Sequence, residues 1–88
     1  MEDRESDVLM CRAQYAVHKN ELTVCLYACR AGIAFEYALE ITQGDLSERC
    51  GIGRDVALAR RLFYKILTGG VTACHLGDVI GDELFATM

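Results

Sequence analysis

The sequence has no long hydrophobic run and no secretory start, and these absences exclude several classes of protein. No stretch is continuously apolar for long enough to span a bilayer. The first seven residues, Met1 to Asp7, are mostly acidic and lack the basic start and apolar run of a signal peptide. We therefore expect a cytoplasmic protein with no membrane partner.

A basic surplus is also missing. The chain has 9 lysine and arginine residues against 13 aspartate and glutamate residues, which gives a formal net charge of −4. A general nucleic-acid binder needs a basic surface to neutralise phosphates. The charge balance therefore argues against a nucleic-acid partner, and weak nucleic-acid binding ranks third among the functional hypotheses.

Catalytic and cofactor motifs are absent as well. The chain contains no Ser-His-Asp order, no HExxH motif and no paired carboxylates in an expected cleft. Gly51-Ile52-Gly53 precedes a helical pattern, but it lacks the third glycine of a dinucleotide fingerprint and the Gly-Lys-Ser/Thr of a P-loop. We therefore predict that the protein is not an enzyme and holds no cofactor.

The chain does contain five cysteines, at positions 11, 25, 29, 50 and 74. Their odd number and the lack of a secretory signal argue for reduced thiols, most of them buried as small apolar side chains. Cys50 falls in a glycine-bearing segment without a clear period, so we expect it to be the most exposed thiol.

The 88 residues fit one domain, which we place at residues 8–88 after a flexible N-terminus at 1–7. Apolar alternation predicts strands over 8–17, 22–28 and 33–41, with a hairpin tip at Lys19-Asn20 between the first two. Residues 34–40 also have high helix propensity, so a helix over 33–41 is the alternative there.

The second half of the chain is predicted to be helical. Residues 43–53 contain three glycines and no sustained period, which is typical of a loop. An apolar stripe with helical spacing follows over 54–68 and ends at Gly69-Gly70. A second helix should start at Thr72, whose hydroxyl can cap the amides of its first turn. The predicted fold is α+β: a three-stranded antiparallel sheet packed by two C-terminal helices, in the order β-β-β-α-α.

Two groups of polar residues on the helices are candidate sites. One is a basic stripe on the first helix, formed by Arg54, Arg61 and Lys65; the other is the set His75, Asp78 and Asp82 on one face of the second helix. Both groups are predicted to contact a protein partner. The second group is also a weak candidate for a metal, because three ligands without a fourth form an incomplete set.

The segment Val71–Leu84 resembles the closing motif of a family of small uncharacterised proteins from clostridia and related Firmicutes. That motif has a valine, a small hydroxyl residue, His-Leu and a spaced pair of aspartates, which match Val71, Thr72, His75-Leu76, Asp78 and Asp82. Ala73 stands where the family motif has a proline, and Glu83 stands where it has an aromatic residue. The resemblance implies a bacterial, non-secreted α+β protein of unknown function, and it points to the same His75, Asp78 and Asp82.

The second predicted strand is apolar on both sides, and two short helices can cover only one face of a sheet. We therefore expect a homodimer that uses Cys25, Tyr27 and Cys29, packed sheet on sheet or through edge strands. The leading hypothesis is a non-enzymatic interaction or regulatory module with an unknown protein partner. The main alternative is a metal- or thiol-dependent sensor that uses the His75, Asp78 and Asp82 face.

Overall fold

The structure is a computed structural model that describes residues 7–86. Four strands form one antiparallel sheet in the order β1-β2-β3-β4, with each strand beside its neighbour in the chain. Two helices follow, separated by a short 3-10 helix. The strands are β1 (Asp7–Val17), β2 (Asn20–Ala31), β3 (Ala34–Gln43) and β4 (Leu46–Gly53), and the helices are α1 (Val56–Gly69), the 3-10 helix (Ala73–His75) and α2 (Leu76–Ala86).

The predicted α+β class, with an antiparallel sheet and two helices, is confirmed, but the predicted number of strands is wrong. The segment interpreted as a loop forms β4, which pairs with β3 from Leu46 to Gly53. Its alternation is hidden in the sequence because Gly51 and Gly53 carry no side chain and because Ile52 bulges out of the register. Residues 34–43 form a strand, as the alternation predicts, rather than a helix.

The start of β1 differs from the simple alternation. The register shifts between Leu9, which pairs with Tyr27, and Cys11, which pairs with Leu26, so Met10 is the extra residue of a β-bulge. The bulge places Leu9 and Cys11 on opposite faces of the sheet. Asp7, which the sequence places in the flexible N-terminus, is the first residue of β1, and residues 1–6 of that predicted segment lie outside the described residues.

The hairpin between β1 and β2 turns at His18 and Lys19, one residue before the predicted tip. Both residues have a positive φ, 51° and 70°. Two consecutive left-handed residues form the tight turn whose twist matches that of the two flanking strands.

The helices cover one face of the sheet and enclose the hydrophobic core. α1 begins at its N-cap Asp55, whose carboxylate accepts hydrogen bonds from the amides of Ala57 and Leu58, and it ends at the left-handed Gly70. The core combines the inward residues of the strands with those of the helices. Its largest fully buried side chains are Leu22, Leu26, Leu39, Ile41, Leu62, Ile66, Leu76, Ile80 and Val24.

Neither helix, within the part of the chain that the structure describes, is both long and apolar enough to cross a membrane.

Candidate functional site

An open groove of about 480 Å³ is lined by residues of the β1–β2 hairpin, the α1–α2 connection and α2. Both histidines of the chain line it, His18 from the hairpin turn and His75 from the 3-10 helix. The predicted site residues Asp78 and Asp82 line it as well. The other lining residues are apolar or small: Val17, Gly70, Val71, Thr72 and Val79. The groove therefore brings together His75, Asp78 and Asp82, as the sequence predicts, and adds His18, which is not among the predicted site residues.

Backbone conformation and one partly buried hydrogen bond hold the groove in shape. Gly70 is left-handed, with a φ of 64°, and an added Cβ there would lie 3.4 Å from Cγ2 of Val17. The chain thus turns sharply after α1 and lies close to β1. The Tyr15 hydroxyl donates a 2.5 Å hydrogen bond to the carbonyl of Val71, and burial raises the pKa of Tyr15. These contacts fix the α1–α2 connection against the hairpin.

The start of the 3-10 helix carries a small cluster of polar groups. The Thr72 hydroxyl lies 2.8 Å from Nδ1 of His75, and the Cys74 thiol lies 3.6 Å from the same nitrogen. The predicted cap therefore does not form, because the Thr72 side chain contacts the imidazole rather than a backbone amide. With Nδ1 engaged, Nε2 is the ring nitrogen of His75 that remains for a ligand.

The prediction that Cys50 is the most exposed thiol is wrong. Cys74 is exposed, whereas Cys50 is half-buried in β4 and packs against the core. Burial raises the pKa of the Cys50 thiol. Cys50 is shielded because the segment around it is a strand, and Cys74 is exposed because it lies on the outer side of the 3-10 helix.

The groove has the chemistry of a site for a cation with an apolar part. Its charged lining residues are Asp78 and Asp82, and no lysine or arginine lines it among residues 7–86. The valine side chains provide an apolar surface beside the carboxylates. No group of three or more His, Cys, Asp or Glu side chains could hold a metal ion in this described range, so His75, Asp78 and Asp82 share a groove without forming a metal-ligand set.

Arg61 and Lys65 lie on α1 as predicted, but Arg54 precedes the N-cap Asp55 and is not part of the helix. All three basic residues are largely paired within the molecule. Arg54 lies 3.7 Å from a carboxylate oxygen of Glu36, and Arg61 lies 4.0 Å from Glu83. Lys65 forms a short hydrogen bond and ion pair with the same Glu83. The hydrogen bond from Lys65 is the main reason that the pKa of Glu83 is lowered. The three predicted basic contact residues thus already have acidic neighbours.

The sheet face opposite the helices carries the three residues predicted for a dimer interface. Cys25, Tyr27 and Cys29 alternate with the core residues of β2, and all three are partly exposed. β3 contributes Ala38, which pairs with Tyr27 and is only 6% exposed although no helix covers this face. Neighbouring side chains on the face therefore already shield its centre.

Arg49 of β4 connects the strands across this open face. Its guanidinium donates to Asp7 of β1 at 2.7 Å and to the Cys29 thiol at 3.3 Å, and it lies 4.7 Å from the ring centre of Tyr27. Burial is the main factor that raises the pKa values of Cys29 and Tyr27. This cluster has no signal in the sequence, because no local pattern indicates that the edge strands meet.

No protein-family model, curated protein or solved structure matches the chain. The resemblance of Val71–Leu84 to a Firmicutes family therefore stays a prediction.

Proposed function

We propose that the protein is a small, non-enzymatic interaction module that binds a basic, partly apolar segment of a protein partner in the groove. The observation that carries this proposal is the composition of the groove, in which Asp78 and Asp82 lie beside apolar valines and no lysine or arginine of the described residues joins the lining. A lysine or arginine side chain fits such a surface, because its aliphatic stem can pack on the valines while its charge meets a carboxylate.

The remaining polar groups support recognition of a peptide. His18 and His75 supply ring nitrogens that can donate or accept hydrogen bonds, and the groove is wide and open rather than enclosed. An extended segment needs such an open surface. The pairing of Arg54, Arg61 and Lys65 with Glu36 and Glu83 favours the groove over the basic stripe as the contact for a charged partner.

Two peptide series test the proposal. Octapeptides that alternate lysine with leucine are compared with peptides that alternate glutamate with leucine, and binding is followed by amide chemical shifts in NMR spectra. We expect the lysine series to shift the amides of His18, His75, Asp78 and Val79, and the glutamate series to leave them unchanged. Equal shifts from both series, or none at millimolar peptide, would contradict the proposal.

Matched variants make the peptide test specific. Replacing both Asp78 and Asp82 by asparagine should weaken binding of the lysine series about tenfold, since each exposed carboxylate contributes about 0.7 kcal/mol and about 1.4 kcal/mol corresponds to a factor of ten. Glu48→Gln removes an exposed carboxylate from β4, outside the groove, and should leave binding unchanged. Equal effects of the two changes would indicate a general charge effect.

A thiol sensor is the second candidate, favoured by the exposed Cys74 beside His75. A peroxide would react with the Cys74 thiolate by cleavage of its O–O bond, giving a sulfenic acid on sulfur and a hydroxide that takes up a proton to become water. Mass spectrometry of the peroxide-treated protein should then show one added oxygen, and Cys74→Ser should abolish it. Oxidation spread evenly over the five cysteines would contradict this candidate.

A further inference from the structure

The outer edge of β1 is an unpaired strand edge within residues 7–86, where β1 has only β2 as a neighbour. From Cys11 to Val17 it carries one charged residue, Arg12, and neither proline nor glycine. Natural edge strands usually carry charges, prolines or bulges that block further pairing. The bulge of β1 is at Met10, outside this segment. The edge is therefore open to another strand.

The hairpin turn reveals which backbone groups of β1 point outward. Val17 and Asn20 flank a two-residue turn, and residues in this position exchange both N–H···O bonds. Bonded and non-bonded pairs alternate along an antiparallel ladder, so Tyr15 and Ala13 also bond to β2. The N–H and C=O groups that point away from β2 are therefore those of Arg12, Gln14 and Ala16.

We propose that a second copy of the chain pairs with this edge, β1 against β1, in an antiparallel register centred on Gln14. The two sheets then join into one continuous sheet about a two-fold axis. Gln14 lies opposite Gln14 of the partner subunit across the axis, and Arg12 lies opposite Ala16 of the partner subunit. On the helix-covered side, the small Ala13 lies opposite Tyr15 of the partner subunit.

Charge complementarity selects this register. Within each chain Ala16 pairs with Glu21, so the partner's Glu21 lies two strands away from Arg12, about 10 Å between Cα atoms. An extended arginine reaches across the short Ala16 side chain over that distance. Two-fold symmetry forms this Arg12–Glu21 pair twice, and neither residue has an ion pair among the described residues of its own chain. A register centred on Arg12 would instead oppose two like charges.

The open sheet face is less suited than the β1 edge to contact with a second copy of the chain. Arg49 already connects β4 with Asp7, Cys29 and Tyr27 there, and Ala38 beneath is buried. Sheet-on-sheet packing would have to displace this network, whereas edge pairing leaves it intact. We therefore place the dimer contact at the β1 edge rather than at Cys25, Tyr27 and Cys29.

Sedimentation of the full chain across the micromolar range tests the proposal. We expect a dimer for the wild type and a dissociation constant at least about tenfold higher for Gln14→Pro. Proline removes an outward N–H but no bond to β2, so the intrachain sheet should tolerate it. Circular dichroism checks that the variant folds. A wild type that is monomeric throughout this range would overturn the proposal.

A charge swap tests the register independently of proline. Arg12→Glu and Glu21→Arg should each weaken the dimer about tenfold, because each creates two like-charge contacts, and the double variant should return to within about twofold of the wild type. Additive weakening in the double variant would rule out this register. If Tyr27→Glu produced monomers while Gln14→Pro stayed dimeric, the interface would be the open sheet face and the edge proposal would be wrong.

Discussion

A guanidinium nitrogen of Arg49 lies 2.7 Å from a carboxylate oxygen of Asp7, although the two residues belong to the opposite edge strands β4 and β1. In a flat sheet these strands would be about 14 Å apart, since neighbouring strands are spaced by roughly 4.8 Å. The contact therefore requires the sheet to curl around its open face. Arg49 links the first and last strands of the sheet directly.

We expect Arg49→Ala to lower the free energy of unfolding by about 1–2 kcal/mol. The change removes two charge-assisted hydrogen bonds and a stack on Tyr27, but the Arg49 side chain is 26% exposed, which reduces the gain from each contact. Arg54→Ala is the matched control, because its pair with Glu36 is more than half exposed on both sides, and it should change stability by less than about 0.5 kcal/mol. Equal urea midpoints for the two variants would show that the Arg49 cluster adds no stability.

Phe63→Ala should cost about 3–5 kcal/mol, because Phe63 is 5% exposed and lies on the buried face of α1. Arg60→Ala, on the exposed side of the same helix, should change stability by less than about 0.5 kcal/mol. Thermal and urea unfolding of both variants measure the difference. Similar melting temperatures would mean that the orientation of α1 is wrong.

Much of the fold follows from local patterns, and the failures have local causes. The stripe of α1 and its end at Gly69-Gly70 are predicted from the sequence, because helical spacing and capping glycines act over a few positions. The N-cap Asp55 lies one residue inside the predicted start at residue 54. The strand β4 cannot be predicted from the sequence, because its glycines and its bulge remove the alternation that identifies a strand. Pairing with β3 supplies the stability that the local sequence of β4 lacks.

The residues of the candidate site likewise include some that the sequence predicts and some that it does not. His75, Asp78 and Asp82 lie at helical spacings, so the sequence groups them correctly. His18 joins them only because the hairpin and the α1–α2 connection meet in the folded chain, and no sequence spacing encodes that contact. The same limit applies to Arg49 and Asp7, which pair across the whole sheet.

We expect one of the five cysteines, Cys74, to react much faster with a thiol reagent than the other four. It is exposed, whereas the other four are partly buried, and burial raises the pKa values of Cys29 and Cys50. Titration of the native protein with a chromogenic disulfide should give one rapid equivalent, which Cys74→Ser removes. Cys50→Ser should leave the rapid phase intact. If Cys50→Ser removed the rapid phase instead, Cys50 would be the exposed thiol, as the sequence predicts.

The last prediction concerns acid stability and the contact between α1 and α2. The hydrogen bond from Lys65 lowers the pKa of Glu83 below its ordinary value of 4.5. A carboxyl with a lowered pKa in the folded state stabilises the fold fully above its unfolded pKa, and this stabilisation is lost as the pH falls through the lowered value. Glu83→Gln should therefore be less stable than the wild type at neutral pH, and the two should converge as the pH falls well below 4.5. Urea unfolding at a series of pH values measures this difference in stability.

In a Lys65→Met background the Glu83→Gln substitution should change the pH profile much less, because the main cause of the lowered pKa of Glu83 is gone. Parallel profiles for wild type and Glu83→Gln would show that the Lys65–Glu83 contact does not form in solution.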